Sequence, residues 1–327
     1  MTGSIRPLRR IIFSLGFLIL AAGCEDPQPG VSEEVLEIPL TLEIDRFDLA
    51  FDQMEPAGLP AMKRKYPYLF PEQYADSVWL AKQEDTLQQR LRREVRKAFP
   101  DFGIYQTDLE LFFKHAKYYF PQTQAPRVLT LTTDVDYENR VILTDTLLLI
   151  GLDNYLGADH EFYGGLQHYI AQELDPALLV SDVGSAFARK VVPAPRERSF
   201  IAQLVYYGKA LYLKDRLMPL AADTVKIGYT TQQLEWAREN ESQIWRYFVE
   251  RELLYSTDKG LGPRFLDPAP FSKFGLILDN ESPGRIGRYI GWQIVRSFMD
   301  NNKSNLREML QIPGEELFKR SKYKPPK

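Results

Sequence analysis

Few residues in this chain have both the type and the spacing for chemistry. The 327 residues hold three histidines, His115, His160 and His168, and one cysteine, Cys24. A zinc peptidase needs two histidines four residues apart on one helical face, with a glutamate beside the first as general base. His160-Glu161-Phe162-Tyr163-Gly164 starts that way but places glycine at the second ligand position. His168-Tyr169-Ile170-Ala171-Gln172 places glutamine there and lacks the glutamate. Gly157, Gly164 and Gly165 surround His160 and suit a loop better than a rigid metal-bearing helix. His115 sits in an aromatic stretch, where a structural role is expected. From this ligand set we expect no metal and no cofactor. There is no G-x-S-x-G elbow, no P-loop and no G-x-G-x-x-G after a strand. Carboxylate pairs for glycosidic chemistry must lie about 5–9.5 Å apart, a distance that sequence does not set. Glu235, Glu239 and Glu241 read as the solvated face of a helix.

Cys24 has a different use. Arg6, Arg9 and Arg10 precede an uncharged apolar stretch, Ile11 to Ala22, that is too short for the roughly 20 residues of a spanning helix. Ala21, Ala22 and Gly23 then lead into the cysteine, as in the lipobox of signal peptidase II. Ala21 departs from that motif's usual leucine, with Leu20 one place earlier. The expectation is a signal peptide over 1–23 and a lipidated Cys24, with a flexible tether through 35. Two or more acyl chains suffice for stable anchoring. Glu25 follows the cysteine where aspartate would favour inner-membrane retention, so the outer membrane, facing the periplasm, is expected. No second apolar run is long enough to span a bilayer.

Removing residues 1–23 takes away three arginines and no acid, moving the formal charge from −3 to −6. With no basic block, nucleic acid is excluded as a partner class. A hydrophobic content of 44% is enough for a sizeable core, and no internal repeat is visible.

Alternation over Leu36–Ile44 predicts a strand, and Phe47–Met54 a helix. Helices are predicted over 72–82 and 84–98. Thr107 and Glu110 form a capping-box pair for a further helix that ends at Pro121. Arg127–Thr132 and Val141–Gly151 read as adjacent strands of one sheet. Helices are then predicted over 162–173, 176–190, 197–217, 231–256, 284–300 and 303–311, with a solvated basic tail from Lys319 to Lys327. This order predicts one α+β domain over 36–320.

Three back-half segments stand out. Leu204–Leu213 carries Tyr207, Gly208 and Lys209; a glycine within a helix costs about 1 kcal/mol against alanine, which points to close packing or a pocket. Glu241 and Trp245 lie four apart on one helical face. Asp279–Gly287 contains Ser282 as a helix cap and Pro283 at the first helical position; the amides there beside Arg285 could hold an anion or a peptide carboxylate, against the plainer reading of a capped helix whose Gly287 and Gly291 permit another helix to approach.

With these segments in view, the chain resembles the gliding-motility lipoprotein GldB family. The resemblance runs from Ile44-Asp45-Arg46-Phe47 through Gly151-Leu152-Asp153-Asn154-Tyr155-Leu156-Gly157 to Ser282-Pro283-Gly284-Arg285-Ile286-Gly287. It implies a cell-envelope protein needed for gliding, linked to assembly or stability of the gliding and type IX secretion machinery, with those envelope proteins as partners. The back half of that family is itself similar to predicted zinc-dependent proteases. On that pattern the HExxH helix falls near Leu178–Lys190, which has no histidine, and Tyr207 replaces an acidic residue. The implied fold is zincin-like without its metal, and the implied protein is not an enzyme. Tyr207, Lys209, Glu241, Trp245, Asp279 and Arg285 are the candidate cleft residues. The alternatives are an active hydrolase using Glu241 with Asp279, and a purely structural lipoprotein.

Overall fold

The computed structural model describes Met1 and residues 31–277 and 279–326. The signal peptide, Cys24 and most of the tether lie outside the described residues.

The front of the chain carries α1 (Glu33–Leu36), β1 (Ile44–Arg46), α2 (Phe47–Asp52), α3 (Leu59–Lys65), α4 (Asp76–Glu84), α5 (Thr86–Ala98) and α6 (Gly103–Tyr119). Strands β2 (Arg127–Leu131), β3 (Val141–Leu143) and β4 (Leu147–Gly151) follow. Helices α7 (His168–Ala171), α8 (Leu179–Val191), α9 (Phe200–Leu217), α10 (Asp223–Ile227) and α11 (Thr231–Glu239) come next. The chain closes with α12 (Glu241–Glu250), α13 (Leu261–Phe265), α14 (Ile286–Asn301), α15 (Leu306–Gln311) and α16 (Gly314–Ser321). The architecture is α+β, mainly helical around one small sheet.

The strands pair in the order β1-β2-β4-β3, with the first two pairings parallel and β3–β4 antiparallel. Both faces are covered. Val128, Leu148 and Ile150 point into the large helical core, whereas Leu129, Leu147 and Leu149 pack with Phe51, Tyr66 and Phe70 on the other side. Period-2 alternation of side chains accounts for the split, and burial on both faces accounts for the unbroken apolar run in β4.

The helical core is built on α9 crossing α14. A Cβ added at Gly208 would overlap the backbone of Gly291, and one added at Gly291 would overlap the carbonyl of Leu204. At Gly287 it would lie 2.8 Å from the Leu204 side chain and 2.9 Å from the Phe265 carbonyl. The sequence reading of these glycines as a close-approach surface matches the structure.

Several elements differ from expectation. Only Ile44–Arg46 pairs as strand; the alternation over Leu36–Ile44 arises because that segment lies along α6, where Leu42 N–H donates to Glu110 and Lys114 donates to the Leu36 carbonyl. Helix α6 begins at Gly103, whose N–H donates to Asp101, so Thr107 is interior and donates to the Gly103 carbonyl. The helix expected over 162–173 is broken, leaving a 3-10 turn at Glu161–Tyr163 and the short α7, with Gly164 and Gly165 between. The helix expected over 231–256 divides at Asn240, whose side chain donates to the Trp236 carbonyl. Ser282 does not cap α14 and Pro283 is not its first residue, since the helix begins at Ile286. The Ser282 hydroxyl bonds to Ser272 and the Asp279 carbonyl, and Arg285 holds the capping position in the left-handed region. Glu241 is buried rather than solvated, and the tail is packed, with Ser321 and Tyr323 both buried.

Candidate functional site

Segments distant in sequence line an open cavity of about 380 Å³. Helix α8 contributes Ser181, Asp182 and Ser185; α9 contributes Tyr207 and Lys214; the entry to α14 contributes Arg285 and Arg288. Arg140, just before β3, and Glu173, after α7, complete its charged wall.

The wall is assembled on the Gly151–Gly157 segment. Asp153 is fully buried and accepts the N–H groups of Thr133 and Val135, which holds the turn after β2 with Val135 at φ 61°. Burial raises its pKa, and the amide hydrogen bonds work against that rise. Tyr155 donates its hydroxyl to Asp182 at 2.8 Å. Burial, then the Asp182 carboxylate, pushes the Tyr155 pKa well up, so it stays a donor. Arg140 grips Asp182 through two nitrogens, at 2.6 and 3.1 Å, and lies 3.6 Å from Glu173. Burial opposes the Arg140 charge, but Asp182 outweighs it and the pKa is raised.

Arg285 pairs with Glu173 at 2.6 Å, with its backbone at φ 61°. That conformation is disfavoured for a residue with a Cβ, and residues held this way tend to cluster at sites of binding or switching. One turn on, Arg288 donates Nε–H to the Leu266 carbonyl at 2.6 Å and lies over the Tyr207 ring at 4.3 Å. Burial, with Arg285 adding to it, lowers the Arg288 pKa to about 10.

Lys214 is 6% exposed. Gly184 leaves room for its stem, since a Cβ there would press on Lys214 Cγ at 3.3 Å. Its ammonium donates to Ser181 Oγ at 2.8 Å and to the Lys226 carbonyl at 3.0 Å. Burial brings its pKa down to about 8; Arg285, Arg288 and Arg140 add to this and Asp182 opposes it.

Two of the candidate residues, Tyr207 and Arg285, therefore line this cavity, and four lie elsewhere. Lys209 donates to the carbonyls of Leu310 and Ile312 at 2.9 and 2.6 Å, tying α9 to the end of α15 beside a smaller cavity of about 130 Å³. Burial lowers its pKa to about 8. Glu241 accepts the hydroxyls of Tyr289 and Tyr323 at 2.6 and 2.8 Å, and Trp245 packs against Tyr323 and Phe318. Asp279 closes its own turn, accepting the N–H groups of Gly275 and Leu276. Sequence reasoning missed Arg140, Glu173, Asp182, Lys214 and Arg288. Two of these had a local signal: Arg288 is three residues from Arg285, and Lys214 is seven from Tyr207 on the same helical face.

The histidines lie apart. His115 bonds to the Leu111 carbonyl at 2.9 Å, and burial lowers its pKa. His160 accepts from Phe162 N–H and lies 3.5 Å from Glu94. Among the described residues no three His, Cys, Asp or Glu side chains are grouped to hold a metal. No described helix is long and apolar enough to cross a membrane.

No curated protein and no solved structure matches the chain significantly. The family model described as gliding motility protein GldB matches residues 29–325. With a match over nearly its whole length, the chain belongs to the gliding motility protein GldB family.

Proposed function

We propose that this GldB-family chain is a lipid-anchored, non-catalytic component of the cell envelope that supports assembly or stability of the gliding and type IX secretion machinery. Family membership gives the role in gliding motility and, through the family's lipoprotein character, the association with the envelope. The anchor is Cys24, with the outer membrane as its site and envelope proteins of the machinery as partners. The cavity serves recognition.

One observation carries this reading. On the family resemblance, helix α8, the Tyr207–Ala210 stretch and the Ser282–Gly287 segment correspond to the HExxH helix, the Glu-Gly stretch and the Pro-Arg-Ile-Gly segment of the predicted peptidases. Here all three border one cavity, and among its charged lining residues six arginines and lysines face three acids. On α8, Ser181, Asp182 and Ser185 face the space where metal ligands would be needed. This supports a peptidase-like cleft adapted to hold a group rather than to cleave one.

Deleting the gene is expected to abolish colony spreading and to lower the amounts of partner envelope proteins, read by quantitative immunoblotting. Survival of both motility and secretion would sink the proposal. The hydrolase alternative rests on Glu241 and Asp279, whose oxygens are engaged by tyrosine hydroxyls and by turn amides respectively. Glu241→Gln and Asp279→Asn are therefore expected to act only through stability. A purely structural lipoprotein would tolerate Arg285→Ala without loss of spreading.

A further inference from the structure

The charges around the cavity lined by Arg285 and Lys214 do not cancel. Arg140 is paired with Asp182, and Arg285 with Glu173. Lys226 turns away to Asp215 at 3.1 Å and Asp223 at 3.7 Å. Glu138 and Arg189 are both exposed at the cavity rim, one charge of each sign. Lys214 and Arg288 are left. Each lines the cavity, and neither is within ion-pair distance of a carboxylate among the described residues. Lys214 uses two of its three N–H groups on Ser181 and Lys226. Arg288 uses only Nε, leaving the far side of its guanidinium for the cavity. Two unmatched cations in one poorly solvated space are costly unless an anion completes them.

We propose that this cavity binds a doubly charged oxyanion of the phosphate kind, either free phosphate or a phosphomonoester borne by a larger molecule. The inference rests on reading the cavity as a recognition site. A single carboxylate would neutralise one of the two cations and leave the other, whereas a phosphate dianion matches both. Its several oxygens also suit the donors on offer: one from the Lys214 ammonium, those at the tip of Arg288, and the Arg285 guanidinium beside them. Arginine recognises phosphate by paired hydrogen bonds and lysine acts as a point charge. The Tyr207 ring lies under the Arg288 guanidinium, 4.3 Å from its central carbon. The left-handed backbone at Arg285 delivers two arginines three residues apart to the same opening.

The test is isothermal titration calorimetry on the purified full-length protein in non-ionic detergent at constant ionic strength. The probes are inorganic phosphate, glycerol 3-phosphate and acetate. Saturable binding of either phosphate probe is expected, roughly tenfold or more tighter than acetate. Arg288→Gln and Lys214→Met should each weaken it by a similar factor, with cooperative melting retained. Binding of inorganic phosphate points to the free anion, and binding of glycerol 3-phosphate alone points to a phosphomonoester. Absence of saturable binding to both, or an equal affinity for acetate, overturns the proposal whatever the variants do. If phosphate fails to bind but Arg288→Gln still abolishes spreading, the recognition reading stands and only the ligand class falls. If neither effect is seen, both fall.

Discussion

Gly208 and Gly291 meet back to back where α9 crosses α14, and neither position has space for a methyl group. Gly208→Ala and Gly291→Ala are each expected to destabilise the fold by about 1–3 kcal/mol or more, through forced separation of the two helices. Gly165→Ala, at a glycine with no neighbouring atom in reach of a Cβ, is the control and should change little. Urea denaturation midpoints check this; equal effects at the three positions would contradict the close crossing.

Glu241 ties together three parts of the chain through two tyrosine hydroxyls. Losing one partner of a buried carboxylate costs about 1–3 kcal/mol, so Tyr323→Phe should lower stability by that amount. Tyr289→Phe combined with Tyr323→Phe should cost more than either alone. Deleting residues 322–327 should cost more than Tyr323→Phe, because the Tyr323 ring is also lost from Trp245. A truncated chain as stable as the full one would show that the tail does not support Glu241.

Asp182 holds Arg140 and Tyr155 at once. Removing one partner of a buried ion pair typically costs about 3–5 kcal/mol, and Asp182→Ala is expected in that range because the Arg140 charge is stranded. Asp182→Asn keeps the hydrogen bond from Tyr155 and should cost less. Thermal melting of the two variants ranks them.

Stability should rise with pH above about 8. Lys209 and Lys214 are held at about 8 in the folded chain against an ordinary 10.5, so from there up to 10.5 the unfolded chain binds more protons. Unfolding then becomes harder as pH rises, with a slope of up to about one proton per lysine. The trend reverses as tyrosines of the unfolded chain ionise, because Tyr155, Tyr229, Tyr289 and Tyr323 have raised pKa values when folded. Denaturation midpoints between pH 7 and 9.5 measure the slope, and Lys214→Met should flatten it. A midpoint that falls steadily over this range would refute the assignment.

Cys24→Ala should release the protein from the membrane fraction and abolish spreading. Fractionation and a spreading assay read the two effects separately. Full spreading by a soluble variant would show that the anchor is dispensable.

What could be read in the sequence followed from local rules. Gly208, Gly287 and Gly291 announced a close helix crossing because small residues at helical spacing have few other uses. The β-branched and apolar run over Val141–Gly151 announced sheet, though it reads as one strand and folds as two, β3 and β4, paired antiparallel. The alternation at Leu36–Ile44 misled because a segment lying along one helix shows the same one-sided burial as a strand. Glu241 could not be recognised as buried, since Tyr323 lies 82 residues further on. The cavity was half legible. Tyr207 and Arg285 sat in unusual strings, but Arg140 finds Asp182 across 42 residues, and no periodicity encodes that distance.

The last residues close the core. Helix α9 lies against α14 and α16, and Tyr323 reaches back to Glu241. Because a polypeptide is made from its first residue onward, α9 and its glycine face must wait for roughly the last third of the chain. Contacts between parts so far apart in sequence form slowly. The α9–α14 crossing and the Tyr323–Glu241 contact are therefore expected to be late steps in folding, after the local helices have formed.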